Sequence, residues 1–188
     1  MPCANRCLRW ALVLLTAMLV TSCATHKYVL NKEYPQLSVD KEYDGILEEQ
    51  ICKCSVDGPT ERRMLIYLPK TYYESNESYP VFYLLHGARG NELSWIEKGN
   101  ILHNIDSLRA AGLMREMIVV LPNVNQYDDD IDFNKSRIKG AVESLFETDG
   151  AVETAFVSDV VNAVDSLYRT LPDKEHRAIA GLSIGAMQ

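Results

Sequence analysis

Apolar residues are distributed along this chain in two ways, and the difference predicts an order of elements before any chemistry is considered. Met64 to Leu68, Val81-Phe82-Tyr83-Leu84-Leu85 and Met117-Ile118-Val119-Val120-Leu121 are continuous apolar runs of strand length. Uninterrupted runs of this kind suit strands covered on both faces. Ile51 to Val56 predicts a further strand, joined to Met64–Leu68 through the turn signal Asp57-Gly58-Pro59. Helical spacing replaces continuity from about Asn100 to Ala111, where Ile101, Leu102, Ile105 and Leu108 recur and Gly112 is placed to terminate. A second helix is predicted from about Thr154 to Leu171, with Phe156, Val160, Ala163, Val164, Leu167, Tyr168 and Leu171 on one stripe and Pro172-Asp173 ending it. The short apolar run Ala178 to Ala180 then opens a last strand. Strands alternating with helices predict an α/β fold, a mostly parallel sheet with flanking helices and right-handed crossovers. Sites in such sheets lie at the carboxyl ends of the strands, where His86-Gly87-Ala88-Arg89-Gly90, Pro122-Asn123 and the residues after Ala180 fall.

The amino-terminal residues stand apart from that pattern. Arg6 and Arg9 precede the apolar stretch Trp10 to Val20, which is short for a bilayer-spanning helix and right for the hydrophobic part of a secretory signal. Val20-Thr21-Ser22-Cys23 resembles the bacterial lipobox. By that resemblance residues 1–22 are a lipoprotein signal peptide, Cys23 is the lipidated residue, and residues 23–45 are a polar tether between the lipid and a domain over 46–188. Acyl chains contribute about 0.8 kcal/mol per buried methylene, so the expected location is the cell envelope, anchored outside the cytoplasm.

Charge and cysteine content narrow the partners. The net charge of −7 falls to −9 once Arg6 and Arg9 leave with the signal, and no Lys/Arg cluster remains, which argues against nucleic acid. Cys52 and Cys54 lie two apart on a predicted strand and share a face; a bridge between them would be strained, so both are expected as thiols or as paired with something missing from this sequence. The aspartates Asp128, Asp129, Asp130 and Asp132 invite a calcium-loop reading, but Phe133 and Lys139 stand where that loop needs Gly and Glu. A solvated loop is the expectation, and no zinc spacing occurs.

The candidate chemistry is at Gly181-Leu182-Ser183-Ile184-Gly185. Gly-x-Ser-x-Gly after an apolar strand is the pattern of a nucleophile elbow, a sharp strand-to-helix turn that lifts a serine hydroxyl clear of the backbone. Glycines at Gly181 and Gly185 let strand and helix approach, and the serine takes the strain. Ser183 is the candidate nucleophile. Acyl transfer also needs two backbone N–H donors for the developing oxyanion, one from the residue after the serine and one from the loop after the third strand. Ile184 meets the first requirement by position, and Ala88, following His86-Gly87, is the best candidate for the second. For His86 a structural role in the loop is favoured.

Residues from about Arg62 to Gln188 resemble the N-terminal half of the esterase family of α/β-hydrolases that includes feruloyl and acetyl-xylan esterases, esterase D-like enzymes and the mycolyltransferases. The resemblance is carried by Tyr83-Leu84-Leu85-His86-Gly87 with Ser94-Trp95 downstream, by Met117 to Asn123, and by Tyr168-Arg169-Thr170 leading to His176 through Ser183. It implies Ser183 as nucleophile, Ala88 and Ile184 as oxyanion donors, no cofactor and no metal, and a small-molecule or carbohydrate-linked ester as substrate. In this fold the triad runs Ser, then Asp or Glu, then His, and only Ile184 to Gln188 follow Ser183. The chain is therefore expected to be a fragment, truncated after the elbow and lacking the other two triad members, with an elbow strand left as an exposed edge. Acyl transfer by the same serine, or a non-catalytic or decayed lipoprotein that kept the fold, are the competing functions.

Overall fold

The structure is a computed structural model that describes residues 43–55, 61–88, 90–124 and 150–187. The signal segment, Cys23, most of the tether, the Asp57-Gly58-Pro59 turn, Arg89, and the acidic run with Asp128–Asp130 and Asp132 lie outside the described residues.

Among the described residues five strands form one sheet in the order β1-β2-β4-β3-β5: β1 is Ile46–Lys53, β2 Glu61–Leu68, β3 Val81–Leu85, β4 Ile118–Pro122 and β5 Arg177–Gly181. The sheet is mixed. β3 runs parallel to both β4 and β5, whereas β2 is antiparallel to β1 and to β4. This antiparallel pairing has a positional consequence, since it brings the N-terminal residues of β2 beside the carboxyl end of β4. β1 begins five residues earlier than the pattern predicts. The last residues assigned to the tether also belong to the domain, because the Asp44 amide donates to Asp106 Oδ2 and the Gly45 amide to the Tyr67 hydroxyl.

Both faces of the sheet are covered, which is why its strands read as continuous apolar runs. Alternation along β2 sends Met64, Ile66 and Leu68 to one side and Leu65 and Tyr67 to the other, and all five are fully buried. At about 2 kcal/mol for each large apolar side chain removed from water, both sides contribute to holding the layers. On the first side they join Val81, Tyr83, Ile118 and Val120 beneath Val160, Val161 and Val164 of the long helix α3, residues 151–167. On the second lies α2, Ile101–Ala110, which follows the single turn α1, Ser94–Glu97, with Leu102 and Ile105 buried and Asp106 accepting from the Tyr67 hydroxyl. Leu108, expected on the same stripe, is 43% exposed. Gly112 ends α2 as expected: it adopts φ +67° and donates to the Arg109 carbonyl, while the Leu113 amide reaches the Leu108 carbonyl, the paired bonds of a Schellman cap.

The predicted Thr154–Leu171 helix is displaced towards the N-terminus. α3 starts at Ala151, passes through a π-helical stretch at Phe156–Val161 and closes with Asn162–Leu167. The wider π turn alters the phase of the buried stripe, which reads Ala155, Asp159, Val160, Val161, Val164 and Tyr168 and leaves Leu167 55% exposed. Beyond Leu167 the chain is extended, because the Tyr79 amide donates to the Arg169 carbonyl and the Leu171 amide to the Tyr79 carbonyl. The buried Asp159 carboxylate accepts from both the amide and the hydroxyl of Ser55, tying the end of β1 to α3.

Cys52 and Cys54 are not bridged to one another, and Cys52 is buried. Burial pushes the Cys52 thiol up to about 11, so its nucleophilic thiolate is scarce near neutrality. Iodoacetamide at pH 8 is expected to alkylate Cys54 in the native protein while leaving Cys52 unmodified, as read by peptide mapping; equal labelling would contradict this packing.

Candidate active site

Parallel pairing of β3 with β5 decides where the site is built. Leu85 stands opposite Gly181, so the residues leaving both strands emerge side by side at the carboxyl end of the sheet. The ladder continues one step further, with the Leu182 amide donating to the Leu85 carbonyl at 3.2 Å. Chain direction then reverses: Leu182 is extended, and Ser183–Ala186 form a single tight helical turn closed by a Gly185 amide to Leu182 carbonyl bond of 3.0 Å.

Ser183 sits at that reversal with φ +55°. For a residue with a side chain, this left-handed backbone costs about 1–2 kcal/mol and persists only where its surroundings impose it. The neighbours do impose it. A Cβ added to Gly181 would lie 2.1 Å from the Gly185 carbonyl oxygen and 2.6 Å from the Ala186 nitrogen. One added to Gly185 would lie 2.4 Å from the His86 carbonyl oxygen and 2.9 Å from Leu85 Cβ. The two glycines therefore allow the turn to fold back on β5 and press against the end of β3. Ser183 itself is exposed at the crest, and Ile184 is half-buried behind it.

The loop after β3 lies against this turn. A Cβ on Gly87 would come within 3.1 Å of the Leu182 carbonyl oxygen and 3.6 Å of Ser183 Cβ. Ala88 follows, exposed, in a turn closed by the Gly90 amide on the Gly87 carbonyl at 3.0 Å. His86 is buried, 4% exposed, and both ring nitrogens are engaged. The Val124 amide donates to Nε2 at 3.1 Å, which makes Nε2 the unprotonated nitrogen, and Nδ1 then donates to the Gly87 carbonyl at 2.9 Å. The ring so held bridges the loops after β3 and β4, with each nitrogen engaged by a backbone group. Among the other described histidines, His103 is exposed on α2, and His176 sits just before β5, at the opposite end of that strand from the elbow, with Nδ1 2.7 Å from Asp173 Oδ1. The structure thus brings together Ser183, Gly181, Gly185, His86, Gly87 and the Ala88 turn.

Sequence reasoning places Asn123 at this end of the sheet but passes over the buried charged side chains that it joins behind the loop. Arg63 and Glu92 are 1% and 3% exposed, and Arg63 Nη1 donates to Glu92 Oε1 at 3.2 Å. Arg63 Nη2 donates to Glu49 Oε2 at 2.7 Å, and Asn123 Nδ2 to Glu92 Oε2 at 3.0 Å. Trp95 Nε1 donates to the Leu85 carbonyl at 3.0 Å, the same oxygen that receives the Leu182 amide. The available signal was Arg62-Arg63 at the head of an otherwise apolar strand, whose position implies that their charges are met inside the fold.

The model of the family described as "Putative esterase" matches residues 55–188. A curated relative, the endo-1,4-beta-xylanase/feruloyl esterase of Xylanibacter ruminicola, is 33% identical over 127 residues, covering 65% of this chain and 16% of the relative. Among solved structures, a ferulic acid esterase is 30% identical with a TM-score of 0.61, covering 77% of this chain and 51% of that one. The ferulic acid esterase of Anaeromyces mucronatus, solved in complex with ferulic acid, is 29% identical with a TM-score of 0.54, covering 79% and 52%. The chain spans about half the length of these two structures and a much smaller part of the curated relative.

Proposed function

The chain belongs to the esterase family of α/β-hydrolases, and from that premise we propose that it acts as a serine carboxylic-ester hydrolase through an acyl-enzyme on Ser183. The observation that carries this reading is the backbone of Ser183: a positive φ on a serine, held between two glycines whose missing side chains make room for the turn. A strained, exposed hydroxyl placed in this way is poised for attack on a carbonyl carbon. The amides of Ile184 and Ala88 would receive the oxyanion, each such donor typically contributing about 3–4 kcal/mol in the transition state.

Deacylation needs a base held by a carboxylate. His86 is committed to Gly87 and Val124, so these two groups are assigned to the part of the family fold that this chain does not span, in the order Ser, acid, His. The names of the relatives favour a ferulate-type ester, an aromatic acid linked to carbohydrate. Lipid attachment at Cys23 would hold the enzyme at the cell envelope, where such esters are met as external material. Among the described residues no helix is long and apolar enough to cross a membrane.

In the protein expressed from its own gene, a fluorophosphonate probe is expected to form one adduct, mapped to the peptide containing Ser183, and none in Ser183→Ala. Release of ferulate from methyl ferulate should disappear in the same variant. An adduct on another residue, or ferulate release that survives Ser183→Ala, would overturn the assignment.

A further inference from the structure

We propose that Glu92 is a positioning residue: its buried carboxylate, gripped from β2 by Arg63 and from the end of β4 by Asn123, fixes the loop that carries Gly87 and Ala88 beside Ser183. The contribution to turnover rests on the esterase reading above; the contribution to loop order does not.

Topology supplies the first part of the case. Because β2 is antiparallel to β4, Arg63 arrives at the carboxyl end of the parallel strands, where its carbonyl accepts the Asn123 amide at 2.9 Å. Two strands thereby present a guanidinium and a side-chain amide towards one carboxylate, which accepts through both oxygens. The carboxylate belongs to the loop, not to the sheet, so these bonds join a mobile class of structure to a rigid one. Within the loop the local bonds are short-range: Gly90 amide to Gly87 carbonyl, Asn91 amide to Ser94 Oγ, Leu93 amide to Asn91 Oδ1. They shape the loop but do not orient it against the sheet. Glu92, the His86 ring and Trp95 do that, and Glu92 is the charged member of the set.

The second part is energetic. A buried ion pair is a weak source of net stability, because desolvation offsets most of the attraction, and its best-attested use is to fix one arrangement among several. Arg63 retains Glu49 as a partner without Glu92, so stability alone does not require the second carboxylate. Orientation of the loop does, since an oxyanion donor displaced by about 1 Å loses much of its effect.

The test separates order from turnover. Asn123→Ala removes one grip while its backbone bonds remain, and Glu92→Gln keeps the shape and one acceptor oxygen for Arg63 without the charge, its new NH2 being met by the oxygen of an Asn123 amide turned over; both avoid the unpaired carboxylate that Arg63→Ala would create. Hydrogen exchange is followed at the Gly90, Asn91 and Leu93 amides, with the β1–β2 ladder as reference. Asn123→Ala is expected to speed loop exchange at least tenfold with the ladder unchanged, Glu92→Ala to do so more strongly, and Glu92→Gln to restore most of the protection. With methyl ferulate, kcat should fall about tenfold in Asn123→Ala at a KM within about threefold of the parent. Loop exchange unaltered in Asn123→Ala and Glu92→Ala, or loop and ladder rising together, would overturn the proposal. Loss of loop protection in a protein without Ser183-dependent turnover would support the positioning role while refuting the esterase reading.

Discussion

Gly181→Ala is expected to destabilise the domain by at least about 3 kcal/mol and to reduce fluorophosphonate labelling of Ser183 to background. The added methyl would meet three backbone atoms, the Gly185 oxygen at 2.1 Å, the Gly185 carbonyl carbon at 2.2 Å and the Ala186 nitrogen at 2.6 Å. No side-chain rotation relieves contacts of that kind, so the helical turn must move away from β5 by an ångström or more, on the order expected of real carbon–oxygen separations. Moving it costs twice, because the Gly185 face of the same turn is packed on the His86 carbonyl and Leu85. Gly112→Ala is the matched control. Gly112 also has a positive φ, +67°, but nothing lies within 4 Å of its added Cβ, so only the left-handed backbone penalty of about 1–2 kcal/mol applies, partly offset by the lower freedom of alanine in the unfolded chain. Urea unfolding of both variants distinguishes steric overlap from glycine conformational preference; equal losses at the two positions would show that the elbow does not depend on the close approach described.

How much of this was legible in the sequence follows from which interactions are local. Continuous apolar runs located β2, β3 and β4 because burial on both faces leaves no polar alternation, and the Gly-x-Ser-x-Gly spacing located the elbow because the constraint lies within five residues. The antiparallel opening of the sheet was visible in the turn signal that joins the first two predicted strands, whereas the antiparallel placement of β2 against β4 was not, since it depends on pairing between segments 52 to 58 residues apart. The start and end of α3 were shifted for a related reason: the π stretch changes the helical phase, and Tyr79 captures residues 169–171 in extended form. Asn123 was legible as a strand-end residue, but Arg63 and Glu92 carried no sign of joining it. Only the fold makes them one buried group. β5 lies at the sheet edge among the described residues, with Ile179 57% exposed.

The last expectation uses the strain at the nucleophile as a reporter that needs no turnover. Ser183→Gly and Ser183→Ala both remove the hydroxyl and should both abolish phosphonate labelling, yet they should differ in stability. Alanine keeps a Cβ at φ +55° and so keeps the penalty of about 1–2 kcal/mol. Glycine escapes that penalty but releases more backbone freedom in the unfolded chain, at a cost of about 0.5–1 kcal/mol. The balance predicts a glycine variant more stable than the alanine variant by roughly 0.5–1 kcal/mol, measurable as a higher urea midpoint at unchanged slope. At an ordinary helical or extended position the sign reverses, because glycine there only destabilises. An alanine variant that is the more stable of the two would therefore mean that Ser183 is unstrained in solution, and the elbow would lose the physical feature that distinguishes it from a common glycine-rich turn.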